Sequence, residues 1–311
     1  AQELLLGKDS PLAKEGRTLT FQALGGTGAL KIGADFLKQI TPDSKVFISN
    51  PSWENHRALF ERAGFPVETY AYYDAAMLAS FKNMPAKSIV VLHACCHNPT
   101  GVDPTLEQWK QIVQLIQEKD LIPFLDIAYQ GFGDGLEEDA KVVRLFADLG
   151  ISMFISSSFS KSFSLYGERV GALTLITSSA DESTRVLSQV KRVIRTNYSN
   201  PPTHGGTIVS SVLNSPELFA LWEEELSGMR NRIRDMRQQL VAKLKEHGVT
   251  QNFDFVLSQR GMFSYSGLTS DQVDRLRTEH GVYAVSSGRI CVAALNSRNI
   301  DYVAKAIAQV L

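Results

Sequence analysis

The sequence is short of cysteine, of net charge and of long apolar segments, and each shortage excludes a class of protein. Three of its 311 residues are cysteines, and two of them, Cys95 and Cys96, are adjacent. So small a set predicts no disulfide framework and indicates a reducing compartment, the cytosol. Lysine and arginine number 32 against 33 acidic residues, so no basic excess predicts a nucleic-acid partner. No apolar run approaches the roughly 20 residues of a membrane span, which predicts no membrane partner.

What the sequence does contain is a regular alternation of short β-branched runs and longer segments with helical periodicity. Its composition, 44% hydrophobic and 21% charged, is that of an ordinary globular protein. Such alternation predicts an α/β fold, with a mostly parallel sheet covered by helices on both faces. The predicted strands are 46–48, 67–72, 89–93, 122–126, 153–157 and 170–177, and the clearest helices are 27–40 and 106–119.

The pattern changes after Pro216, where a long charged amphipathic segment begins. A helix is predicted over this segment, and shorter strands and helices alternate irregularly behind it. The predicted helices are 217–245, 270–279 and 299–310, and the predicted strands are 262–265, 283–285 and 290–293. We therefore predict a large domain over 1–215 and a smaller α+β domain over 216–311.

Several reactive side chains fall at the carboxyl ends of predicted strands, where an open parallel sheet binds its ligands. Asp126 closes one strand, Asn98 follows another, and Lys161 follows the strand at 153–157. The run Gly-Gly-Thr-Gly at 25–28 opens a helix, where free N–H groups and the positive end of the helix dipole favour a phosphate. These groups are predicted to converge at one edge of the sheet.

Taken singly, each of these residues has a plainer interpretation. Asp126 is a common turn residue, and Lys161 alone is typical of a solvated surface lysine. The glycine run lacks the Lys-Ser/Thr pair of a P-loop and the full spacing of a dinucleotide fingerprint. Trp53 and Phe263, each considered alone, are typical of core residues.

Two other constellations compete with these residues for a function. His93, Cys95, Cys96 and His97 resemble a metal-ligand cluster, but adjacent cysteines on a strand point to opposite faces and make a poor chelate. We therefore predict no metal site.

Ser158 and Lys161 match the Ser-x-x-Lys motif of serine acyl-enzymes, and the Tyr-Ser-Asn run at 198–200 resembles the second motif of that class. No Lys-Thr-Gly follows, and the β/α alternation is wrong for that fold. Acyl transfer stays as the alternative from a different reaction class.

The combination of residues describes one cofactor better than any residue does alone. The Lys161 amine can form a Schiff base with an aldehyde, and an anionic Asp126 can keep a pyridine nitrogen protonated. Ser158, Ser160 and Arg169 suit a phosphate group near the lysine. Together they predict pyridoxal 5′-phosphate.

An ordered set of motifs over essentially all 311 residues resembles the class I aminotransferases, in their aspartate and aromatic amino-acid branch. The motifs are GGTGAL at 25–30, NPSWENH at 50–56, HNPTG at 97–101, DIAYQGF at 126–132, SFSK at 158–161, YGERVG at 166–171, NYSNPP at 197–202 and SGR at 287–289. The resemblance implies a fold-type I enzyme that transfers amino groups between amino acids and 2-oxo acids. It also implies a homodimer with shared active sites.

The resemblance assigns catalysis to three residues. Lys161 would hold the cofactor as a Schiff base and later move the substrate's α-proton. Asp126 would pair with the ring nitrogen, while Tyr129 and Asn98 would hydrogen-bond the phenolate oxygen of the cofactor. His93 would lie below Asp126 and orient it.

The remaining implied roles concern the cofactor's surroundings and the substrate. Trp53 would stack on one ring face and Ala128 on the other. Arg289 would grip the substrate's α-carboxylate, and Arg195, with Ser199 beside it, would come from the partner subunit to meet a distal carboxylate. The phosphate ligands would be Gly26, Thr27, Ser158, Ser160 and Arg169, and the substrate would touch Trp53, Asn98, Arg195, Arg289 and Phe263.

Two features depart from the family. Its long N-terminal segment, which clasps the partner, is not in this sequence, and we expect it to precede Ala1 in the full-length protein. The loop at 72–77 is also shorter than the family's, and we expect further residues there in the full-length protein.

Two sets of residues indicate different substrates. Arg195 favours aspartate and glutamate, whereas the run GRICVA at 288–293 is closer to aromatic-accepting bacterial members. A strict aspartate aminotransferase and a non-catalytic aminotransferase-like sensor are the remaining alternatives. Lys161 and Arg289 argue against the sensor.

Overall fold

A seven-stranded sheet lies at the centre of the computed structural model, which describes residues 1–311 apart from the side chain of Asp74. Its strands are β1 Thr18–Leu24, β2 Val46–Asn50, β3 Val67–Ala71, β4 Ile89–His93, β5 Ile122–Ile127, β6 Met153–Ser158 and β7 Val170–Ile176. They lie side by side in the order β1-β7-β6-β5-β4-β2-β3. Strands β2 to β6 pair in parallel, and β7 is antiparallel to both β6 and β1. The predicted mostly parallel α/β sheet is confirmed.

Helices connect the strands and continue beyond them. They are α1 Gln2–Leu6, α2 Pro11–Lys14, α3 Gly25–Ile40, α4 Glu54–Arg62, α5 Asp74–Lys82, α6 Leu106–Glu118, α7 Leu136–Asp139, α8 Lys141–Asp148, α9 Ala180–Asn197, α10 Thr203–Asn214, α11 Pro216–Glu246, α12 Phe255–Ser258, α13 Ser270–His280 and α14 Ile300–Val310. A small antiparallel sheet pairs β8 Phe263–Tyr265 with β9 Arg289–Cys291, and a 3₁₀ turn follows at Val292–Ala294. Most predicted bounds agree with these to within two residues.

Helices cover both faces of the large sheet, because its central strands are apolar on both sides. Neighbouring residues of a strand point to opposite faces. Phe124 of β5 accordingly packs in one buried cluster with Leu30 of α3, and Leu125 packs in the other with Trp109 of α6. The two clusters hold the sheet between helical layers and fix its carboxyl edge in place.

Helix α3 approaches the sheet so closely that one position must be glycine. A Cβ added at Gly33 would lie 2.5 Å from Cζ of Phe124, well inside van der Waals contact. The glycine therefore lets α3 lie against β5, and it brings the start of α3 to the edge where β5 ends.

The long helix α11 begins where the sequence pattern changes. Ser215 caps it, because its hydroxyl accepts the backbone N–H of Leu218 at 3.3 Å, and Pro216 occupies the first turn, where a missing N–H costs nothing. Trp222 of α11 donates its indole N–H to the Ser162 carbonyl at 2.7 Å and so ties the helix to the large sheet region. A domain boundary between 215 and 216 stays a prediction.

Two sequence expectations about the strands fail. The strand predicted at 283–285 is wrong, because the Gly288 N–H donates to the Val285 carbonyl at 2.8 Å and makes 285–288 a turn into β9. Strand β1 was missed, although alternate residues Phe21 and Ala23 are buried in the manner of a half-exposed strand. It is the strand that leads into α3.

None of the helices in the described part of the chain is long and apolar enough to cross a membrane. The segment at 72–77, which was expected to be shorter than the family's, includes Asp74, whose side chain is outside the described residues.

Candidate active site

A cavity opens at the carboxyl edge of the sheet, where β4, β5 and β6 end. All the residues predicted to bind the cofactor line it. Its walls are Gly26, Thr27, Leu30, Trp53, His93, Cys95, Asn98, Asp126, Ala128, Tyr129, Ser158, Ser160, Lys161, Tyr166 and Arg169. The strands bring these residues together from positions far apart in the chain, as a parallel sheet does with residues at its strand ends.

Lys161 follows β6 and extends its amine into this cavity. The ammonium lies 4.6 Å from the centre of the Tyr129 ring. Burial lowers the pKa of Lys161, the Asp126 carboxylate opposes that shift, and the Arg169 guanidinium adds to it. A lysine amine whose pKa is lowered is neutral more often at physiological pH, and the neutral amine is the nucleophilic form.

Asp126 closes β5 and is held as an anion below the cavity. Its side chain is buried, and Oδ2 lies 2.8 Å from Nε2 of His56. Burial alone would raise the pKa of the Asp126 carboxyl. The hydrogen bond from His56, with the electrostatic effects of His56, His93 and Lys161, outweighs burial and holds this pKa below its ordinary value.

A chain of hydrogen bonds runs from the Asn98 amide to Asp126 and fixes the histidine tautomers. The Asn98 backbone N–H can only donate, so Nδ1 of His93 accepts it at 3.3 Å. Burial lowers the pKa of His93 to about 3, so this ring is neutral and its proton lies on Nε2, 3.4 Å from Ser52 Oγ. The Ser52 hydroxyl then donates to Nδ1 of His56 at 3.0 Å, and Nε2–H of His56 donates to Asp126. The tautomers of both histidines are assigned from the hydrogen-bond partners of their ring nitrogens.

The position of His56 corrects one sequence expectation. His93 was predicted to lie below Asp126 and orient it, yet the contact is made by His56, and His93 lies two hydrogen bonds beyond His56, through Ser52. His93 does pair with Asp126 along the β4–β5 ladder, but among the described residues no hydrogen bond joins their two side chains. His56 belongs to the NPSWENH motif, and that motif was the feature of the sequence that could have identified it.

The start of α3 and the end of β6 form a cradle for an anion. The amino end of α3 has no side-chain cap. The Gly25 N–H donates to the Arg169 carbonyl at 3.0 Å, and the N–H groups that follow it in the first turn remain available for a ligand. Arg169 donates from Nη1 to Ser160 Oγ at 3.3 Å and to the Tyr166 carbonyl at 2.9 Å. A Cβ at Gly25 would lie 2.4 Å from Nη2 of Arg169, so only glycine admits the guanidinium there.

The charge around this cradle also suits a phosphate. Among the described residues no carboxylate forms an ion pair with Arg169, whose guanidinium lies beside the helix start. A dianionic phosphate would supply the missing charge, and charge-assisted hydrogen bonds to it are about twice as strong as neutral ones. Ser158 and Ser160 add hydroxyls on the same side.

Two polar side chains, Tyr129 and Asn98, face the cavity from the side of β8. Burial raises the pKa of Tyr129, so its phenol stays protonated and can donate. Oδ1 of Asn98 accepts from Nη1 of Arg289 at 3.0 Å, which leaves the Asn98 amide N–H groups free to donate. Both side chains therefore suit an anionic oxygen on a bound ligand.

Arg289 and Phe263 enter from the small sheet and meet each other. The Arg289 guanidinium lies over the Phe263 ring, 4.7 Å from its centre. The Phe263 ring in turn meets the Tyr129 ring edge to face, at 6.1 Å between centres. Neither residue is among the described residues that line the cavity, but the stack holds a planar cation against Asn98, which does line it.

Trp53 and Arg195 occupy different places relative to the cavity. Trp53 lines the cavity just before α4 and meets the His56 ring edge to face, at 5.2 Å between centres. Arg195, in the last turn of α9, is exposed and donates to the Ser199 hydroxyl. It is not among the described residues that line the cavity, so one chain does not bring it together with Lys161.

Comparison with known proteins supplies the family. Residues 2–307 match the family model described as aminotransferase class I and II. An aspartate aminotransferase of Pseudomonas aeruginosa is 67% identical, over 100% of this chain and 80% of the relative. An aromatic-amino-acid aminotransferase of Escherichia coli is 53% identical, over 99% of this chain and 80% of the relative.

A solved structure gives the same result for the fold. The aromatic-amino-acid aminotransferase of Burkholderia pseudomallei, covalently bound to pyridoxal phosphate, superposes with a TM-score of 0.98 at 65% identity. The match covers 100% of this chain and 80% of that chain.

Proposed function

Because the chain belongs to the class I and II aminotransferases, we propose that the cavity around Lys161 is its active site. The protein is a pyridoxal-phosphate-dependent enzyme that transfers amino groups between aspartate, glutamate or aromatic amino acids and 2-oxo acids. The serine acyl-enzyme and sensor alternatives are accordingly set aside.

One observation supports the site assignment above the others. A lysine amine with a lowered pKa, a buried anionic carboxylate and an uncapped helix start beside an arginine all face one cavity. These are the three groups that an aldehyde, a pyridine nitrogen and a phosphate require. When bound there, pyridoxal phosphate supplies an aldehyde for the amino group and a protonated ring that withdraws electrons from the substrate's α-carbon.

The chain's own residues then have separable tasks. Gly26, Thr27, Ser158, Ser160 and Arg169 hold the phosphate. His56 keeps Asp126 ionised, so that this carboxylate can hold a proton on the ring nitrogen. Tyr129 and Asn98 donate to the phenolate oxygen, and Trp53 and Ala128 enclose the ring.

Lys161 and Arg289 act on different groups of the substrate. Nζ of Lys161 accepts the proton of the substrate's α-carbon and returns it, a role that its lowered pKa suits. Arg289 binds the α-carboxylate through its guanidinium fork, and the Phe263 ring keeps the plane of that fork fixed. Nη1 of Arg289 already has a partner in Asn98, which links substrate binding to the cofactor contacts.

A substrate panel tests this function directly. We expect measurable rates with aspartate, phenylalanine and tyrosine against 2-oxoglutarate, and slow turnover of leucine. Lys161→Ala should abolish all of them, whereas the matched control Lys191→Ala, at an exposed position on α9, should leave them unchanged. Retention of substantial activity in Lys161→Ala would remove Lys161 from its role.

We also propose a homodimer in which Arg195 reaches the partner's cavity. Its support is that Arg195 is exposed and outside its own chain's cavity, although a dicarboxylate needs a second cation there. A cytosolic location stays a prediction that depends on the low cysteine content.

Mixed dimers distinguish a shared site from a self-contained one. Full-length Lys161→Ala and Arg195→Ala variants, each nearly inactive with aspartate, are denatured and refolded together in equal amounts. A twofold dimer with shared sites should regain about a quarter of the wild-type activity, because half the dimers are mixed and half their sites are whole. If mixtures that gel filtration shows to be dimeric stay at the baseline, Arg195 does not act across the interface.

A further inference from the structure

Cys95 and Cys96 form a buried dithiol whose geometry the sequence pattern did not predict. Strand β4 ends at His93, so the two cysteines do not alternate across a sheet. Cys96 has a left-handed backbone with φ of 52°, which turns the chain. The Sγ atoms of both cysteines and a carboxylate oxygen of Asp139 consequently lie within 4.8 Å of one another. The expectation that the two thiols point apart is wrong for this reason.

Backbone hydrogen bonds hold the dithiol in this arrangement. Asp103 accepts the backbone N–H groups of Cys96 at 2.7 Å and His97 at 2.8 Å, which fixes the left-handed turn. Asp139, by contrast, is already engaged. Its two oxygens accept the N–H groups of Gly131, Gly133 and Asp134 at 2.8, 3.0 and 2.9 Å.

Neither sulfur accepts one of these N–H groups, so the two thiols are the remaining ligand atoms of this cluster. Asp139 serves the turn at 131–134, whereas neither sulfur belongs to the set of groups that the transamination site uses. Their separation also suits a common partner, because two sulfurs bound at about 2.3 Å to one soft atom lie at most about 4.6 Å apart.

The dithiol is buried, and one of its thiols borders the active-site cavity. Cys95 lines the cavity together with Asn98 and Lys161. The Sγ of Cys96 lies 4.0 Å from the carbonyl of Tyr129, which also lines the cavity. A Cβ at Gly261 would lie 2.5 Å from the Cβ of Cys96, so the backbone there closes the far side.

We propose that Cys95 and Cys96 are a modification site for trivalent organoarsenicals, which enter through the cofactor cavity. Each thiol gives up its proton, the oxygen of the arsenic oxide leaves as water with both protons, and two As–S bonds form. No oxidation state changes, so no oxidant is needed. Because Cys95 lies on the cavity wall and Asn98 is two residues beyond Cys96, the adduct blocks cofactor entry, and bound cofactor blocks the adduct.

Phenylarsine oxide tests the site in the full-length protein, with the cofactor removed and with it restored. Intact-protein mass spectrometry of the stripped protein should show a gain of one reagent less one water per chain. Titration should show that one of the three thiols remains. A small dithiol such as 2,3-dimercaptopropanol should remove the label, a monothiol should not, and saturation with pyridoxal phosphate should prevent labelling.

Variants assign the label to residues. Cys95→Ser and Cys96→Ser should each lose the dithiol-specific label, whereas Cys291→Ser, which changes the exposed cysteine, should keep it. If a serine variant does not fold, the number of free thiols left in the wild-type protein after labelling still tests the proposal. Stripped protein that gains no mass, or a label that survives Cys95→Ser, would overturn the proposal.

Equal labelling with and without the cofactor would contradict entry through the cavity. The mass gain of the stripped protein does not depend on cofactor chemistry, so a failure of this proposal is distinguishable from a failure of the active-site assignment.

Discussion

Replacement of Asp126 by asparagine removes a buried carboxylate that lines the cofactor cavity while keeping the side-chain shape. Asp126 is 7% exposed, and its Oδ2 accepts the Nε2–H of His56 at 2.8 Å. The amide is neutral, so both the hydrogen bond from His56 and the contact with a protonated ring nitrogen lose their charged partner.

The magnitude comes from those two contacts. A hydrogen bond to a charged group contributes about 1.5–3 kcal/mol, which corresponds to a rise of roughly 10- to 150-fold in the dissociation constant of pyridoxal phosphate. Loss of a preorganised electrostatic partner costs about 2.7–4 kcal/mol in the transition state, so kcat should fall by about 10² to 10³ or more.

Two assays measure these quantities separately. Titration of the stripped variant with pyridoxal phosphate, followed by absorbance, gives the affinity, and a coupled assay with aspartate and 2-oxoglutarate gives kcat. Asp120→Asn is the matched control, because the Asp120 side chain is 63% exposed and pairs with Lys87 at the surface. An Asp126→Asn enzyme whose affinity and kcat stay close to those of the wild type would refute the electrostatic role.

Three further outcomes are expected. Phe263→Leu removes the ring under the Arg289 guanidinium, and that contact is worth about 0.5–2 kcal/mol. The KM for the amino acid should therefore rise roughly 2- to 30-fold, with a smaller change in kcat. An equal loss that appears in kcat alone would contradict this role. Gly33→Ala puts a methyl group 2.5 Å from Phe124 and should cost about 1–3 kcal/mol of stability in urea unfolding, so an unchanged midpoint would refute the close approach. The folded pKa of His93 is about 3 and its ordinary value is 6.5, so the unfolded chain takes up the proton first as pH falls. The free energy of unfolding should therefore decrease from about pH 6.5 downward, by at most about 1.4 kcal/mol per pH unit for this group, and His93→Gln should make that decrease shallower.

The convergence of the cofactor residues was predictable because it depends on strand order alone. Asp126, Asn98 and Lys161 each follow an apolar run, and parallel strands present their carboxyl ends at one edge. The fold class is predictable from the same periodicity. The chemical roles came from residue types, since an amine, a carboxylate and a phosphate cradle together match one cofactor.

The failures lie where the chain leaves a strand or a helix. Periodicity predicts which face a residue takes within an element, but it carries no information about the sign of φ in the next turn. Cys96 adopts a left-handed conformation three residues after β4, and this alone turns a poor chelate into a dithiol. The wrong expectation for His93 also arose in a turn. His56 contacts Asp126 because of where α4 begins after β2, and periodicity does not predict that position.

The central claim is that Lys161 carries the cofactor, and borohydride reduction tests it most directly. The full-length protein is saturated with pyridoxal phosphate, reduced, digested and mapped by mass spectrometry, with Lys161→Arg treated in parallel. We predict one cofactor fixed per chain, on the peptide that contains Lys161, and none on that peptide in the variant. A label on another lysine, or no label after saturation, would contradict the assignment.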